Sequence, residues 1–450
     1  MKIVIVGIGK LGDYLTKLLV KENNEVTIID RDFTGKEELI NNEDINYLEG
    51  DGLDSQVLME AGIANTDLLI TSMKEDSENI ICALLGNKLG AKHTIARIRD
   101  NTYNQNIPII KEALGLSMAV NPAYLTAVQI AQIISIPNAL NATTFLKGKM
   151  DVITIKLKED SKLNGMTIRR LSEILDNKLI VCAVERDEDV IIPRGDTKFQ
   201  EGDRVHVAGV RQDINTFLKF AKLINDKTKS VMIIGASKSS EYLAKMLTDM
   251  NMNVTIIDED EKRCKTMSEH LDKCLIINAD PSDQDVLYEE GIEECDSFVS
   301  LSGYDENNIV YSMFAKEVGV PKIITKINHI NLEGVAKKAE IDSAIAPHKV
   351  AANQIVKYVR AMDKSMSSSC DAIYNFDDVF EIVEFKVKEN FTGLGKKIRD
   401  IQFKDDILIG AIQRGKNIIY PDGNDIIKKS DVILVVTKNN AVKEVNDMVR

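Results

Sequence analysis

The chain has 450 residues, a formal net charge of −13, 44% hydrophobic and 28% charged residues. That length supports several domains with separate cores, and that composition belongs to a folded water-soluble protein. The acidic balance argues against a nucleic-acid surface, which draws on clustered Lys and Arg, although a local basic site is compatible with it.

The first expected element is a strand over residues 2–6, KIVIV. It is too short for a signal peptide and runs into a glycine turn without a cleavage site. Gly7-Ile8-Gly9-Lys10-Leu11-Gly12 follows, and then a helical stretch with Leu11, Tyr14, Leu15, Leu18 and Leu19 on one face. Further strands are expected at 25–30, 46–49, 67–71, 94–98 and 118–120. Strands alternating with helices imply an α/β fold with a doubly wound parallel sheet.

G-x-G-x-x-G after a strand, with an acidic residue ending the next strand, is the fingerprint of a dinucleotide-binding Rossmann unit. Gly7 permits the tight turn, Gly9 lets backbone amides approach a pyrophosphate, and Gly12 lets helix and strand pack closely. The helix N-terminus offers unpaired N–H groups to the phosphates. Asp30 is expected to accept ribose hydroxyls and favours NAD(H) over NADP(H). Arg31 beside it weakens that preference. Lys10, Leu11, Gly52 and the pair Thr71-Ser72 complete the candidate site, the last because ligands bind beyond strand ends in such sheets. Arg97 and Arg99 end the fifth strand and could donate to phosphate or ribose.

Residues 123–140 are the most apolar later stretch. Gln129, Gln132 and Pro137 interrupt it, so it falls short of a membrane span. No direct membrane insertion is expected. A smaller α+β module follows, with strands at 151–158, 178–186 and 204–209 and a short helix at 167–175. Turns are marked by Gly195-Asp196 and Gly202-Asp203, and a hinge is expected at 225–229.

The sequence then repeats. Gly7 and Gly235 stand 228 residues apart, as do Asp30 and Asp258, each closing VTIID. The small module repeats too: Gly202-Asp203-Arg204-Val205 matches Ser430-Asp431-Val432-Ile433. The expected domains are 1–138 and 229–363, both Rossmann units, and 139–226 and 371–450, both small α+β domains. Residues 364–369, KSMSSS, read as a linker. The second fingerprint is damaged: Gly235-Ala236-Ser237-Lys238-Ser239-Ser240 puts Ser where Gly9 and Gly12 stand. A side chain at Ser237 lies where a pyrophosphate should rest. Gly235, Ser237, Asp258, Asp280 and Lys326 therefore form a second, degenerate candidate site, with Asp305-Glu306 beyond a strand end.

Six cysteines lack C-x-x-C or zinc-ligand spacing and read as reduced core thiols. None of the five histidines has a recognisable catalytic setting, and His206 lies inside a strand pattern. No G-x-S-x-G, G-x-x-x-x-G-K-[ST] or H-E-x-x-H occurs. No catalytic residue and no metal site is expected. An NAD-dependent oxidoreductase is the alternative; it would need a proton donor or acceptor beside the nicotinamide. A transcription regulator would need a helix-turn-helix, which neither small module offers.

GIGKLG, VTIID, EGDGLD, LMEAGI, DSEN and ARIRD closely resemble the regulator of potassium conductance (RCK or KTN) N-terminal domain. The modules around Gly165–Gly209 and Gly393–Val436 look like its TrkA-C partner domain. The full order resembles the TrkA family, peripheral subunits of Trk potassium uptake systems. The resemblance implies a non-enzymatic subunit on the cytosolic face of the plasma membrane, held there by a Trk-type potassium channel-like membrane partner. It implies a homo-oligomer, a dimer or tetramer ring, whose rearrangement gates the pore. It also implies NAD(H) or ATP/ADP at Gly7, Gly9, Gly12, Asp30, Asp51, Thr71 and Arg97, and a crossover helix at 123–136 that pairs Rossmann domains. Some relatives hold a regulatory ligand such as cyclic di-AMP in the small modules; nothing in this sequence selects that.

Overall fold

The structure is a computed structural model. It describes all residues except 101–108, 110, 113–114, 188, 224–227, 342, 363–368, 377–379, 439–441 and 443. The hinge at 225–229 and the linker at 364–369 thus lie mostly outside the described residues; Ser369 is described, as the first residue of a strand.

The first sheet holds β1 Lys2–Val6, β2 Glu25–Asp30, β3 Ile45–Glu49, β4 Leu68–Thr71, β5 His93–Arg97 and β6 Met118–Val120. All neighbours are parallel, in the order β3-β2-β1-β4-β5-β6. In β1, Ile3, Val4, Ile5 and Val6 are all buried, because parallel sheets are covered on both faces and need no polar side. The helix Lys10–Lys21 buries Leu11, Tyr14, Leu15 and Leu19, one stripe at helical spacing.

Next come β7 Asn141–Phe145, β8 Met150–Lys156, β9 Ile180–Arg186, β10 Asp189–Ile191 and β11 Arg204–Gly209, an antiparallel sheet ordered β10-β9-β11-β8-β7. Strand β7 and the helix Arg211–Phe220 extend the sequence expectation. β7 escapes a pattern search because it pairs with β8 through residues 146–148, where Leu146, Lys147 and Gly148 all take positive φ without an Asn-Gly signal.

The second copy repeats both sheets. Strands β12 Ser230–Ile234, β13 Asn253–Asp258, β14 Cys274–Asn278, β15 Ser297–Ser300, β16 Lys322–Lys326 and β17 Ser343–Ile345 run β14-β13-β12-β15-β16-β17, again all parallel. Strands β18 Ser369–Phe376, β19 Phe380–Lys386, β20 Ile407–Arg414, β21 Asn417–Ile419 and β22 Val432–Thr437 reproduce the small antiparallel sheet.

Like modules pair with like. One compact unit is residues 1–128 with 229–356; the other is 129–228 with 357–450. In the first unit, Tyr14 meets His348 edge-on at 5.3 Å between ring centroids, and Tyr242 meets Tyr124 at 5.4 Å. Asn121 also donates to the Tyr242 hydroxyl at 3.1 Å. Tyr14 and Tyr242 are 228 residues apart, so each glycine-loop helix carries one tyrosine onto the other module's crossover helix region. In the second unit the two small sheets share one core, with Phe145, Met150, Val152 and Ala208 against Phe380, Ile382, Ala411 and Leu434. His206 is buried there, its ring nitrogens on Thr154 at 2.9 Å and Glu185 at 2.7 Å. Cys82, Cys182, Cys264, Cys274 and Cys295 are all free thiols; Cys370 lies outside the described side chains.

Candidate functional site

A cleft of about 410 Å³ opens beyond β1 and β4. The strand order reverses there, which is the crevice where open α/β sheets take ligands. Its walls include Gly7, Gly9, Asp30, Arg31, Gly52, Ser72 and Arg97, together with Gly50, Met73, Lys74, Glu78 and Arg99.

The three glycines answer to different forces. Gly7 has φ +93°, and a Cβ there would lie 2.6 Å from the Met73 nitrogen. Gly12 faces its own loop: a Cβ would lie 2.1 Å from the Gly7 oxygen. Gly9 has neither reason. Its φ of −70° and ψ of −170° suit any residue, and a Cβ would meet nothing within 4 Å. Gly9 also caps the helix Lys10–Lys21 with no side-chain hydrogen bond. The first-turn amides of that helix therefore keep their capacity for an anion.

Asp30 does more than face the cleft. Its Oδ2 accepts the Ile8 amide at 2.5 Å, and Oδ1 accepts the Asp32 amide at 3.2 Å, so it braces the glycine loop. Arg31 crosses the rim. Its Nη2 donates to both Asp51 carboxylate oxygens at 3.0 Å and to Glu78 at 3.1 Å. The Leu53 amide, with Arg31 after it, holds the Asp51 carboxyl below the usual carboxylate range. Arg97 donates to the Met73 carbonyl and Arg99 to the Lys74 carbonyl. Burial, with the Arg99 charge beside it, pushes the Arg97 guanidinium down to about 10. Two polar atoms at the cleft, Ser72 Oγ and Arg97 Nε, are buried without a hydrogen-bond partner among the described residues.

Five expected site residues lie outside the cleft wall. Thr71 is the last residue of β4, not beyond it; its side chain is fully buried and donates to the Asn79 carbonyl at 3.0 Å. Leu11 is buried under the loop and Gly12 packs against Gly7, so both support the cleft from behind. Lys10, exposed on the first helical turn, and Asp51, half-buried in the loop after β3, do not line it. Glu78 and Asn79 were visible in sequence only as part of a motif. Asn79 is fully buried; it accepts the Met73 amide at 2.7 Å and donates to the Met73 and Arg97 carbonyls at 3.0 Å each. That one side chain fixes the loop after β4, and a buried clamp of this kind has no local sequence signal.

The second copy keeps the frame, but its helix N-terminus is capped. Gly235 has φ +99°, and Asp258 accepts the Ala236 amide at 2.6 Å. Asn308 repeats the clamp, accepting the Ser302 amide at 2.9 Å. Ser237, however, caps its own helix. Its hydroxyl accepts the Ser240 amide at 3.2 Å, and the Ser240 hydroxyl donates to the Gly235 carbonyl at 2.5 Å. Lys326, in the place of Arg97, donates to the Leu301 carbonyl at 3.0 Å, and burial pushes its amine down to about 8. Asp280 is braced by the Ser282 amide at 2.8 Å, and Glu259 stands where Arg31 does. Asp305, expected beyond a strand end, begins the helix Asp305–Val318 and accepts the Asn328 and His329 amides at 2.8 Å.

Two Rossmann modules, one with an open glycine loop, paired with two small antiparallel domains define a duplicated α/β protein of the nucleotide-binding type. The TrkA-N domain matches residues 3–122 and 231–347, and the TrkA-C domain matches 152–222 and 382–450. The chain belongs to the TrkA family, with both domains present twice. A Trk system potassium uptake protein TrkA homolog of Archaeoglobus fulgidus is 29% identical over 453 residues, covering all of both chains. The Trk system potassium uptake protein TrkA of Halomonas elongata is 29% identical over 451 residues, with 99% of this chain and 98% of that one covered. Among solved structures, the GsuK RCK domain superposes with a TM-score of 0.64 at 15% identity, over 98% of this chain and 93% of that one. The GsuK channel bound to NAD gives 0.63 at 16%, over 97% and 77%. These likenesses are in fold. Among the described residues, no helix is long and apolar enough to cross a membrane.

Proposed function

We propose that this chain is a nucleotide-sensing regulatory subunit of a Trk-type potassium uptake system, not an enzyme. It works as a homo-oligomeric ring on the cytosolic face of the membrane, docked onto a channel-like membrane subunit. Its first cleft takes NAD(H) or ATP/ADP. The working domain division is 1–138, 139–226, 229–363 and 371–450.

The observation that carries this reading is Gly9. Neither backbone conformation nor protein packing asks for glycine there; space for a ligand does. The uncapped helix amides would hold phosphates, Asp30 the ribose, and the unpartnered Ser72 hydroxyl can pair with a further polar group. The full-length relatives bear the name of a potassium uptake system, and a channel of the same fold is described as bound to NAD. A ligand gates only through different affinity for two conformations, with a typical coupling of about 1–3 kcal/mol per site. A sharp response therefore needs several chains in one ring.

Calorimetric titration of the full chain with NADH and ATP tests the site. The wild type is expected to bind, and Gly9→Asp to lose binding while keeping its fold. Equal affinity in both proteins would remove the site. Co-purification with a Trk-type membrane subunit, with and without nucleotide, tests the partner.

A further inference from the structure

Asn121 stands buried between β6 and the helix that begins at Pro122. Its Oδ1 accepts the Tyr124 amide at 3.0 Å and so caps that helix. Its Nδ2 carries two protons and directs them to two different modules. One goes to the Tyr242 hydroxyl at 3.1 Å, the other to the Arg99 carbonyl at 3.3 Å. Tyr242 belongs to the helix Lys238–Asp249 of the second Rossmann module, and Arg99 to the wall of the first cleft. Asp76 holds the same stretch of chain from another side: its Oδ2 accepts the Arg99 and Asp100 amides at 2.8 Å each, and its Oδ1 lies 3.6 Å from the Arg99 Nε. A single amide group therefore links a buried side chain of one module to the position from which a cleft guanidinium of the other springs.

The link is one-sided. In the reverse direction Tyr14 meets His348 ring to ring. Ala346 follows β17 as Asn121 follows β6, and it has no amide to carry a contact on to Asn328 in the place of Arg99. We infer that Tyr242 is a positioning residue for the first cleft: through Asn121 it sets the main chain at Arg99, so that the cleft's affinity for phosphate depends on how the second module packs against the first. This rests on the nucleotide reading of the first cleft and names a device that regulates it. A planar amide with three partners cannot follow one of them without leaving another, and a buried donor left unpaired is costly. A shift of Tyr242 therefore moves Arg99, and a ligand that grips Arg99 strengthens the hold on Tyr242 in return. Arg99 shares the cleft wall with Arg31, Lys74 and Arg97 and with Asp30 and Glu78, so its displacement weakens phosphate binding without abolishing it.

The test is calorimetric titration of the full chain with ADP. Tyr242→Phe removes the hydroxyl and keeps the ring against Tyr124. It is expected to weaken ADP binding by about threefold to tenfold, the scale of one hydrogen bond. Arg99→Ala is expected to weaken it at least as much. On the Arg99→Ala background, Tyr242→Phe is expected to cause no further loss, an outcome that a general loosening of the fold would not give. Asn121→Ser keeps a capping oxygen for the helix but has no amide to bridge Tyr242 and Arg99. It is expected to reproduce the loss, which covers the case where Tyr242→Phe folds poorly. Additive losses in the double variant overturn the inference. So does wild-type affinity in Arg99→Ala, or in both Tyr242→Phe and Asn121→Ser. If the wild type binds neither ADP nor NADH, the nucleotide reading itself falls, and this inference with it.

Discussion

The Ser240 amide donates to the Ser237 hydroxyl at 3.2 Å, closing with a second bond the end of a helix that its twin leaves open. Gly9, in the same position, offers those amides no side-chain cap. Two positions 228 residues apart thus treat the same backbone group differently, capped by a side chain in one copy and left uncapped in the other.

That contrast gives a paired prediction. Ser237→Ala removes a helix cap and is expected to cost about 1 kcal/mol of stability, with nucleotide affinity unchanged. Gly9→Ala suits its backbone and is expected to leave stability equal or raised by about 0.4–1 kcal/mol, while nucleotide affinity drops. Urea unfolding and calorimetric titration of each variant check both. Loss of stability at Gly9 without loss of binding would reverse the assignment.

Gly7 and Gly235 should behave unlike Gly9. Their φ values are +93° and +99°, and an added Cβ would meet backbone atoms at 2.6 and 2.7 Å. Alanine at either position is expected to destabilise by at least ~1–2 kcal/mol from the left-handed backbone alone, before the clash. Equal unfolding midpoints for Gly7→Ala and Gly9→Ala would contradict this.

Stability is expected to fall with acid because of His348. It is buried, its Nδ1 lacks a partner among the described residues, and its ring meets Tyr14 of the other Rossmann module. Burial first, then the nearby Lys349 and Lys10 charges, push the imidazole down to about 4. The unfolded imidazole takes its proton near pH 6.5. Between about 6.5 and 4 the unfolded state binds the extra proton, so stability drops as pH falls through that window, by up to ~3 kcal/mol, and levels off below it. His348→Gln is expected to flatten that slope. Parallel pH profiles for the two proteins would refute it.

The small domains carry one clasp twice. Arg186 donates to Asp203 at 2.7 and 2.8 Å and to the Lys198 carbonyl at 2.9 Å. Arg414 does the same to Asp431 at 2.9 and 2.7 Å and to the Ile426 carbonyl at 2.7 Å. Asp203 and Asp431 are fully buried. Asp203→Ala and Asp431→Ala are each expected to cost about 1–3 kcal/mol, by removing the charge-assisted bonds to the arginine and the acceptor of the Gln200 or Lys428 amide. Denaturant unfolding should show similar losses for both; a loss in one alone would mean the clasps are not equivalent.

Much of this was legible locally. Glycine loop, strand and terminal Asp follow one another within residues 2–30, so the first Rossmann unit could be read from β1, Gly7 and Asp30. The damaged twin was legible for the same reason, because Ser237 and Ser240 fall at marker positions. What escaped were contacts made at a distance. Glu78 reaches Arg31 across 47 residues, and Asn79 reaches the Arg97 carbonyl across 18. Neither has a pattern of its own.

The sequence by itself determined the duplication, the parallel sheets and the open turn at Gly9, because those follow from residue spacing and from what a bare Cα permits. Only the tertiary structure decided that like modules pair, that Thr71 is packed away behind Asn79, and that Arg31 is already engaged. Burial and charge pairing depend on which distant segments the fold brings within a few ångströms, and no local spacing encodes that.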